Sequence, residues 1–166
     1  CHVEEPDLTL EPPYDTYGPI MTADFYAIYG DYINNHEKQL TEYVKFFIER
    51  GKHVSATEYA KTLGLVVLLK AKFADLFQKY DLLLSPTACF TAFEYRKFPG
   101  EITGVSAYPE QYWNGAFTLP INIIGHPAAT IPAGFSSNGL PIGLHIVGRK
   151  GGENTIISAS SAFENA

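Results

Sequence analysis

Apolar residues recur at spacings of three and four through the first half of this chain, and in alternation or short runs through its last third. Thr22 to Asn34 places Phe25, Ile28, Tyr29, Tyr32 and Ile33 on one side, which predicts a helix capped at Thr22 or Asp24. A second helix is predicted from Asn35 or His36, with Leu40, Val44, Phe47 and Ile48 on one face and Gly51 as its stop. The third has the clearest local signal. Ser55-Ala56-Thr57-Glu58 forms a capping box, in which serine and glutamate satisfy each other's free backbone N–H groups. Tyr59, Leu63, Val66, Val67, Phe73, Leu76, Phe77 and Tyr80 follow as its packing face, with Lys61, Lys72 and Lys79 off the stripe.

Strand patterns take over beyond residue 80. Asp81-Leu82-Leu83-Leu84-Ser85-Pro86-Thr87 suits a short central strand covered on both faces. Residues 128–135 and 141–148 read as two strands joined through Ser136-Ser137-Asn138-Gly139-Leu140, whose Asn-Gly is a hairpin signal. Glu153 to Phe163 closes the chain as an amphipathic helix with Ile156, Ile157, Ala159 and Phe163 inward. Between these elements, Cys89 to Tyr112 is irregular and proline- and glycine-punctuated, as functional loops often are. Proline supports this division. Pro6, Pro12, Pro13 and Pro19 punctuate an acidic lead-in, and none follows until Pro86, so long helices are expected only between them. Cys1 to Pro6 reads as the tail of a strand entering a loop. The order of elements is α/β with at least one antiparallel pair.

Charge narrows the class of partner. The net charge of −6 comes from an acidic segment 1–37 without Lys or Arg, a basic block 38–79, and a mildly acidic remainder. The basic block has the look of solvated helix faces, and an acidic chain lacking an aromatic and Arg-rich stripe is a poor nucleic-acid binder. No apolar run approaches the ~20 residues needed to span a bilayer, so no membrane segment is expected. Cys1 and Cys89 are too few for a disulfide framework, which points to a reducing, cytoplasmic compartment. His2, His36, His53, His126 and His145 are scattered without metal-ligand spacing, so neither a metal site nor a cofactor is expected.

The catalytic inventory is thin. Cys89 follows a strand, but no histidine is spaced to activate it, and an inert thiol is the simpler reading. Ser136-Ser137 reads as turn chemistry. There is no Gly-x-Ser-x-Gly elbow and no phosphate-cradling glycine loop.

One segment stands above this background: Phe117-Thr118-Leu119-Pro120-Ile121-Asn122-Ile123-Ile124-Gly125-His126-Pro127-Ala128-Ala129, continuing through Ile131-Pro132-Ala133-Gly134-Phe135 to Gly139-Leu140-Pro141-Ile142-Gly143-Leu144-His145-Ile146-Val147-Gly148. It resembles the C-terminal part of the amidase signature family, the Ser–cis-Ser–Lys amide hydrolases, with His145 standing where glutamine is usual. Glu49-Arg50-Gly51, Ser55 to Tyr59, and Tyr80 to Thr87 match in the right order, and His2-Val3-Glu4-Glu5 resembles the passage opening this half of the fold. The resemblance implies a mixed sheet flanked by helices, with a C-terminal antiparallel hairpin and closing helix. Residues 1–166 would form one C-terminal part, divided into a helical block over 22–80 and a strand, pocket loop, hairpin and closing helix over 81–166.

The implied activity is hydrolysis of a carboxylic amide through a serine acyl-enzyme. The family's serines and lysine belong to an earlier Gly/Ser-rich signature that has no counterpart here, so no catalytic residue is assigned. Trp113, Phe117, Thr118 and Asn122 are the candidate substrate-binding residues. Pro120 and Pro127 would stiffen the block, Gly125 would allow close backbone approach, and Asn122 would tie backbone groups. The glutamine-using amidotransferase branch of the family carries an aspartate two residues before the phenylalanine of F-T. Gly115 stands there, which favours a small-molecule amide less polar than glutamine. A non-catalytic binding or assembly half is the alternative, and a thiol hydrolase using Cys89 a third reading. The start at Cys1 leads to a further expectation: a cut through a larger sheet, leaving an apolar face to be covered by the rest of the fold or a second copy.

Overall fold

The computed structural model describes residues 1–94, 101–102, 105–106 and 115–166. Trp113 lies outside the described residues, as does most of the irregular loop. The chain divides into two compact units, Cys1–Leu65 and Val66–Ala166.

The first unit is helical. Helix α1 (Pro13–Tyr29) starts well before Thr22 and carries Pro19 inside it, so the prolines do not end the helix as expected. Pro13 sits at the first helical position, where the missing N–H would have had no partner, and its fixed φ suits the helix. Thr22 is an interior residue whose buried Oγ1 donates to the Gly18 carbonyl at 2.9 Å, not a cap. A short turn, α2 (Tyr32–Asn35), follows. Residues 37–39 form a 3-10 turn, and α3 (Glu42–Lys52) begins only after Thr41, whose side chain accepts the Val44 N–H at 3.3 Å. Phe47 and Ile48 fill the core of this unit, and Phe47 is ringed by Phe25, Tyr43 and Phe46 at centroid distances of 5.1, 4.6 and 5.7 Å.

Gly51 does not stop α3. It is the buried, penultimate residue of the helix, and a Cβ placed there would lie 1.8 Å from the Thr22 carbonyl oxygen. The glycine is what lets α3 touch the backbone of α1.

Helix α4 (Ala56–Lys79) begins with the predicted capping box. Ser55 N–H donates to Glu58 Oε2 at 2.9 Å, and Glu58 N–H donates to Ser55 Oγ at 3.2 Å. Its buried positions are Thr62, Val66, Leu69, Phe73 and Leu76. Leu63 and Val67, predicted to pack, are exposed instead. They belong to a second apolar stripe on the outer surface of the helix, which spacing alone merges with the first.

In the second unit, strands β1 (Leu82–Pro86), β4 (Ala128–Phe135) and β5 (Pro141–Gly148) form a sheet in the order β1-β5-β4. Both pairings are antiparallel, so the mixed character expected of the sheet is not expressed among its described strands. β1 is an edge strand with Leu84 48% exposed, not the covered central strand that its apolar run predicts. Two-residue strands β2 (Glu101–Ile102) and β3 (Val105–Ser106) pair within the loop. Ile131 and Ile146 on one sheet face pack with Ile156 of α6 (Glu153–Glu164), flanked by Leu82, Ala129 and Leu144. Ile157 and Phe163 are exposed, contrary to the inward face predicted for this helix. The hairpin turn forms as expected: Ser136 N–H reaches the Leu140 carbonyl at 2.8 Å, and Leu140 N–H reaches Ser136 Oγ at 3.1 Å.

Candidate functional site

The motif-rich block folds as a turn, a short helix and a strand. Helix α5 (Leu119–Ile124) has Pro120 near its start, with Leu119, Pro120, Ile121 and Ile124 buried. Gly125 ends it with φ 71° and ψ 38°, and its N–H donates to the Asn122 carbonyl at 3.2 Å while His126 N–H donates to that of Ile121 at 3.3 Å. This paired closure needs a left-handed residue, which explains the glycine. Close approach does not, because a Cβ at Gly125 would meet nothing within 4 Å. His126 is structural: Nδ1–H donates to the Gly148 carbonyl at 2.9 Å, and the ring stacks on Phe77 of α4 at 5.3 Å.

Four side chains are the candidates for substrate binding. Phe117 is 38% exposed and Thr118 half-buried, in the turn leading into α5. Asn122 lies one turn on, its N–H bonded to the Thr118 carbonyl at 3.0 Å, with its side chain exposed. The expected backbone ties from the Asn122 side chain are absent among the described residues. Trp113 is not among those residues, so the structure relates only Phe117, Thr118 and Asn122.

Two features of this region are not legible in the sequence. The first is a tie between loops: the Cys89 sulfur accepts the Ala116 backbone N–H, joining the loop after β1 to the turn before α5. Burial nonetheless pushes the thiol above its usual range, the opposite of what a nucleophilic cysteine needs. The thiol-hydrolase reading therefore has no activating group behind it among the described residues.

The second is a polar row across the sheet. Register aligns Ser85, His145 and Thr130 on adjacent strands. Ser85 Oγ is 3.3 Å from His145 Nδ1, and Thr87 Oγ1 donates to Thr130 Oγ1 at 3.3 Å. Gly143 makes the second contact possible, since a Cβ there would lie 2.7 Å from Thr87 Oγ1 and 2.9 Å from Thr130 Cγ2. His145 is only 4% exposed, and burial holds its pKa below the ordinary value, so the ring is neutral at pH 7. A serine beside a neutral histidine has the form of a nucleophile–base pair, but Ser85 Oγ also donates to the Pro86 carbonyl at 3.1 Å. No carboxylate orients the imidazole among the described residues. The row fixes the end of β1 and thereby the loop leaving it. Strand alternation marks these positions as one face, but without the strand order nothing in the sequence pairs Ser85 with His145.

Other chemistry is sparse. No group of three or more His, Cys, Asp or Glu is placed to hold a metal ion among the described residues. The helical unit has an open cleft of about 320 Å³ lined by Tyr26, Asp31, Asn34, Glu49 and Lys52 among others, of which Glu49 alone belongs to a segment that matches the family pattern. No described helix is long and apolar enough to cross a membrane.

Comparison with known proteins agrees with the block. The family model described as Amidase matches residues 14–157. The A subunit of glutamyl-tRNA(Gln) amidotransferase from Halothermothrix orenii is 36% identical over 140 residues, covering 81% of this chain but 28% of that protein. Its counterpart from Granulibacter bethesdensis is 42% identical over 108 residues, 65% of this chain and 20% of that one. Among solved structures, an amidase aligns with a TM-score of 0.83 at 19% identity, over 93% of this chain and 35% of that one. A bacterial aryl acylamidase of the amidase signature family aligns at 0.78 and 23% identity, over 96% and 35%. The chain thus spans under a third of the length of these curated relatives and about a third of the solved ones. On the family match and the shared fold, the chain belongs to the amidase signature family.

Proposed function

We propose that this chain is the C-terminal part of a hydrolase that converts a carboxylic amide to an acid and an amine or ammonia. The observation that carries the reading is the continuous family match over residues 14–157, which includes the F-T-L-P-I-N block that folds as the start of α5. In this reading a serine oxygen attacks the amide carbonyl, the C–N bond breaks as a proton passes to the leaving nitrogen, and water cleaves the resulting ester. That serine lies in the portion of the relatives' length that this chain does not span, and residues 1–166 form one part of a single domain.

The role of the present residues is to hold substrate. Phe117, Thr118, Asn122 and Trp113 line the pocket, and the polar row through His145 keeps the β1 end in place. The exposed stripe of α4 and the outer edge of β1 are surfaces for the remainder of the fold to cover. The sparse cysteine content accords with a cytoplasmic setting.

The test has two arms. An acyl adduct should be trapped, and located by peptide mass spectrometry, on a serine outside residues 1–166 in the longest polypeptide that carries this chain. The 166-residue chain alone should not turn over an aryl or alkyl amide. Turnover by the chain that is lost in Ser136→Ala or Ser137→Ala would refute the reading. A parent sequence without a Gly/Ser-rich segment and upstream lysine would leave a non-catalytic assembly half.

A further inference from the structure

We propose that His145 is an acid-released latch on the end of β1: its neutral ring, buried in the sheet, holds that end closed, and taking a proton from solvent frees it together with the loop that leaves it. The consequence for activity rests on the amidase reading, because that loop leads along the chain to Trp113, Phe117 and Thr118 of the proposed pocket. The latch itself does not.

Three ties close the end of β1. Thr87 N–H donates to the Gly143 carbonyl at 3.0 Å, and Thr87 Oγ1 donates to Thr130 Oγ1 at 3.3 Å. The third runs through the ring. Ser85 Oγ directs its proton to the Pro86 carbonyl at 3.1 Å, so across the 3.3 Å to His145 it accepts from Nδ1–H. That assignment leaves Nε2 as the basic nitrogen, the atom that takes the next proton. The ladder is thin here, since Pro86, paired with Leu144, has no N–H to give. β1 also stands at the edge of the sheet, whereas β4 is joined to β5 through the 136–140 turn. Of the two neighbours of His145, the β1 end is the one that parts more easily.

No described group is placed to compensate a charge on the ring. β1, β4 and α5 carry no titratable side chain, and His145 is the only one on β5. α6 brings Glu153 and Glu164, but its Ile156 packs with Ile131 and Ile146 on the sheet face opposite the polar row. Lys70, Lys72, Asp75 and Lys79 of α4 are exposed, as are Asp81, Glu94, Arg149 and Lys150. His126 is tied to the Gly148 carbonyl, and burial keeps the Cys89 thiol protonated. An imidazolium at a site 4% exposed would thus be an unpaired buried charge, and desolvation weakens the hold of the ring on a proton. The proton is accepted where water reaches Nε2, which parting β1 from β5 allows. Proton uptake and opening are therefore linked, each favouring the other. Glutamine, usual at this place in the family pattern, has no proton to take, so the sensitivity belongs to the histidine.

Hydrogen exchange by mass spectrometry tests this on the longest polypeptide that carries the chain, after correction for the intrinsic pH dependence of exchange. Between pH 7.5 and 5.5, protection of a peptide spanning residues 83–90 should fall by about three- to tenfold, the upper limit being set by an opened ring that titrates near 6.5. Peptides of α6 should hold within about twofold. His145→Gln should make the 83–90 response flat. Exchange of the ring carbon-bound hydrogen of His145, read in the unsubstituted protein, should titrate over the same pH range as the loss of protection. The proposal is overturned if 83–90 holds its protection at pH 5.5, or if His145→Gln responds as the parent does. An equal loss in α6 would overturn it too, because the whole unit would then be unfolding. Exchange is read without turnover: a protein that hydrolyses no amide leaves the latch standing, and a pH-independent β1 end overturns the latch alone.

Discussion

Two glycines in neighbouring helices should respond in opposite directions to the same substitution. At Gly51 of α3, a Cβ would fall 1.8 Å from the Thr22 oxygen, 2.5 Å from its carbonyl carbon and 2.8 Å from Tyr26 Cβ. Two of these atoms are backbone, so rotamer changes cannot relieve the clash and α1 and α3 must separate. Overpacking of this kind costs about 1–3 kcal/mol, occasionally more, and a backbone obstruction belongs at the upper end. The alanine recovers about 1 kcal/mol of helix propensity, leaving a net loss of about 2 kcal/mol. At Gly64 of α4, an added Cβ meets nothing within 4 Å, so Gly64→Ala gains the propensity alone, about 0.5–1 kcal/mol. With a urea slope of about 2 kcal/mol/M, the midpoints should shift by about −1 M and +0.3 to +0.5 M respectively. Urea unfolding followed by circular dichroism reads both shifts. Hydrogen exchange should place the Gly51→Ala loss in the amides of α1 and α3. A neutral or stabilising Gly51→Ala would refute the close contact between these helices.

The other predictions concern the capping box, the core, the polar row and the outer stripe of α4. Ser55→Ala removes the acceptor for Glu58 N–H and should cost about 1 kcal/mol, seen as faster exchange of the first α4 amides. Phe73→Ala, at a fully buried site beside His126, should cost about 3–5 kcal/mol in urea unfolding. His145 has a folded-state pKa below its usual 6.5, so the unfolded chain binds the proton first as pH falls. Its contribution is whole above about pH 6.5 and is lost as pH drops toward the folded value. The parent should therefore lose more stability between pH 7.5 and 5.5 than His145→Gln; equal losses would contradict burial of the neutral ring. Leu68→Gln, at a residue 66% exposed, should change the stability of the 166-residue chain by no more than about 0.5 kcal/mol.

Local rules suffice wherever the decisive partners lie close in the chain. Ser55 and Glu58 are three residues apart, and their reciprocal bonds appear as the capping box requires. The Asn138-Gly139 turn likewise needs only its own residues and the two strands beside it. Sequence and structure part where a distant partner decides. Gly51 looks like a helix stop until Thr22 is seen against it, and Pro19 looks like a helix breaker until α1 is seen to run through it. Phe117 and Thr118 are legible by motif. The anchoring contact from Cys89 to Ala116 and the row from Ser85 to His145 depend on how loops and strands meet, which no periodicity encodes.

The two stripes of α4 have a physical meaning with a wider consequence. Thr62, Val66, Leu69, Phe73 and Leu76 are buried on one face, while Ala60, Leu63, Gly64, Val67, Leu68 and Ala71 follow the same three-and-four spacing on the opposite, exposed face. Hydrophobic periodicity reports that such faces exist but not which is covered. A helix apolar on both sides is characteristic of one packed between two layers, and Lys61, Lys70 and Lys72 bracket the outer stripe at its margins. β1 follows the same logic: three successive leucines suit a strand covered on both faces, yet the strand stands at the edge of its sheet. Both elements read as interior while presenting apolar surface to water. Long apolar edges and stripes invite association in water, so their placement is better accounted for by an intended covering layer than by chance. The solved relatives are about three times as long as this chain, which makes the remainder of an amidase-signature fold the natural candidate for that layer.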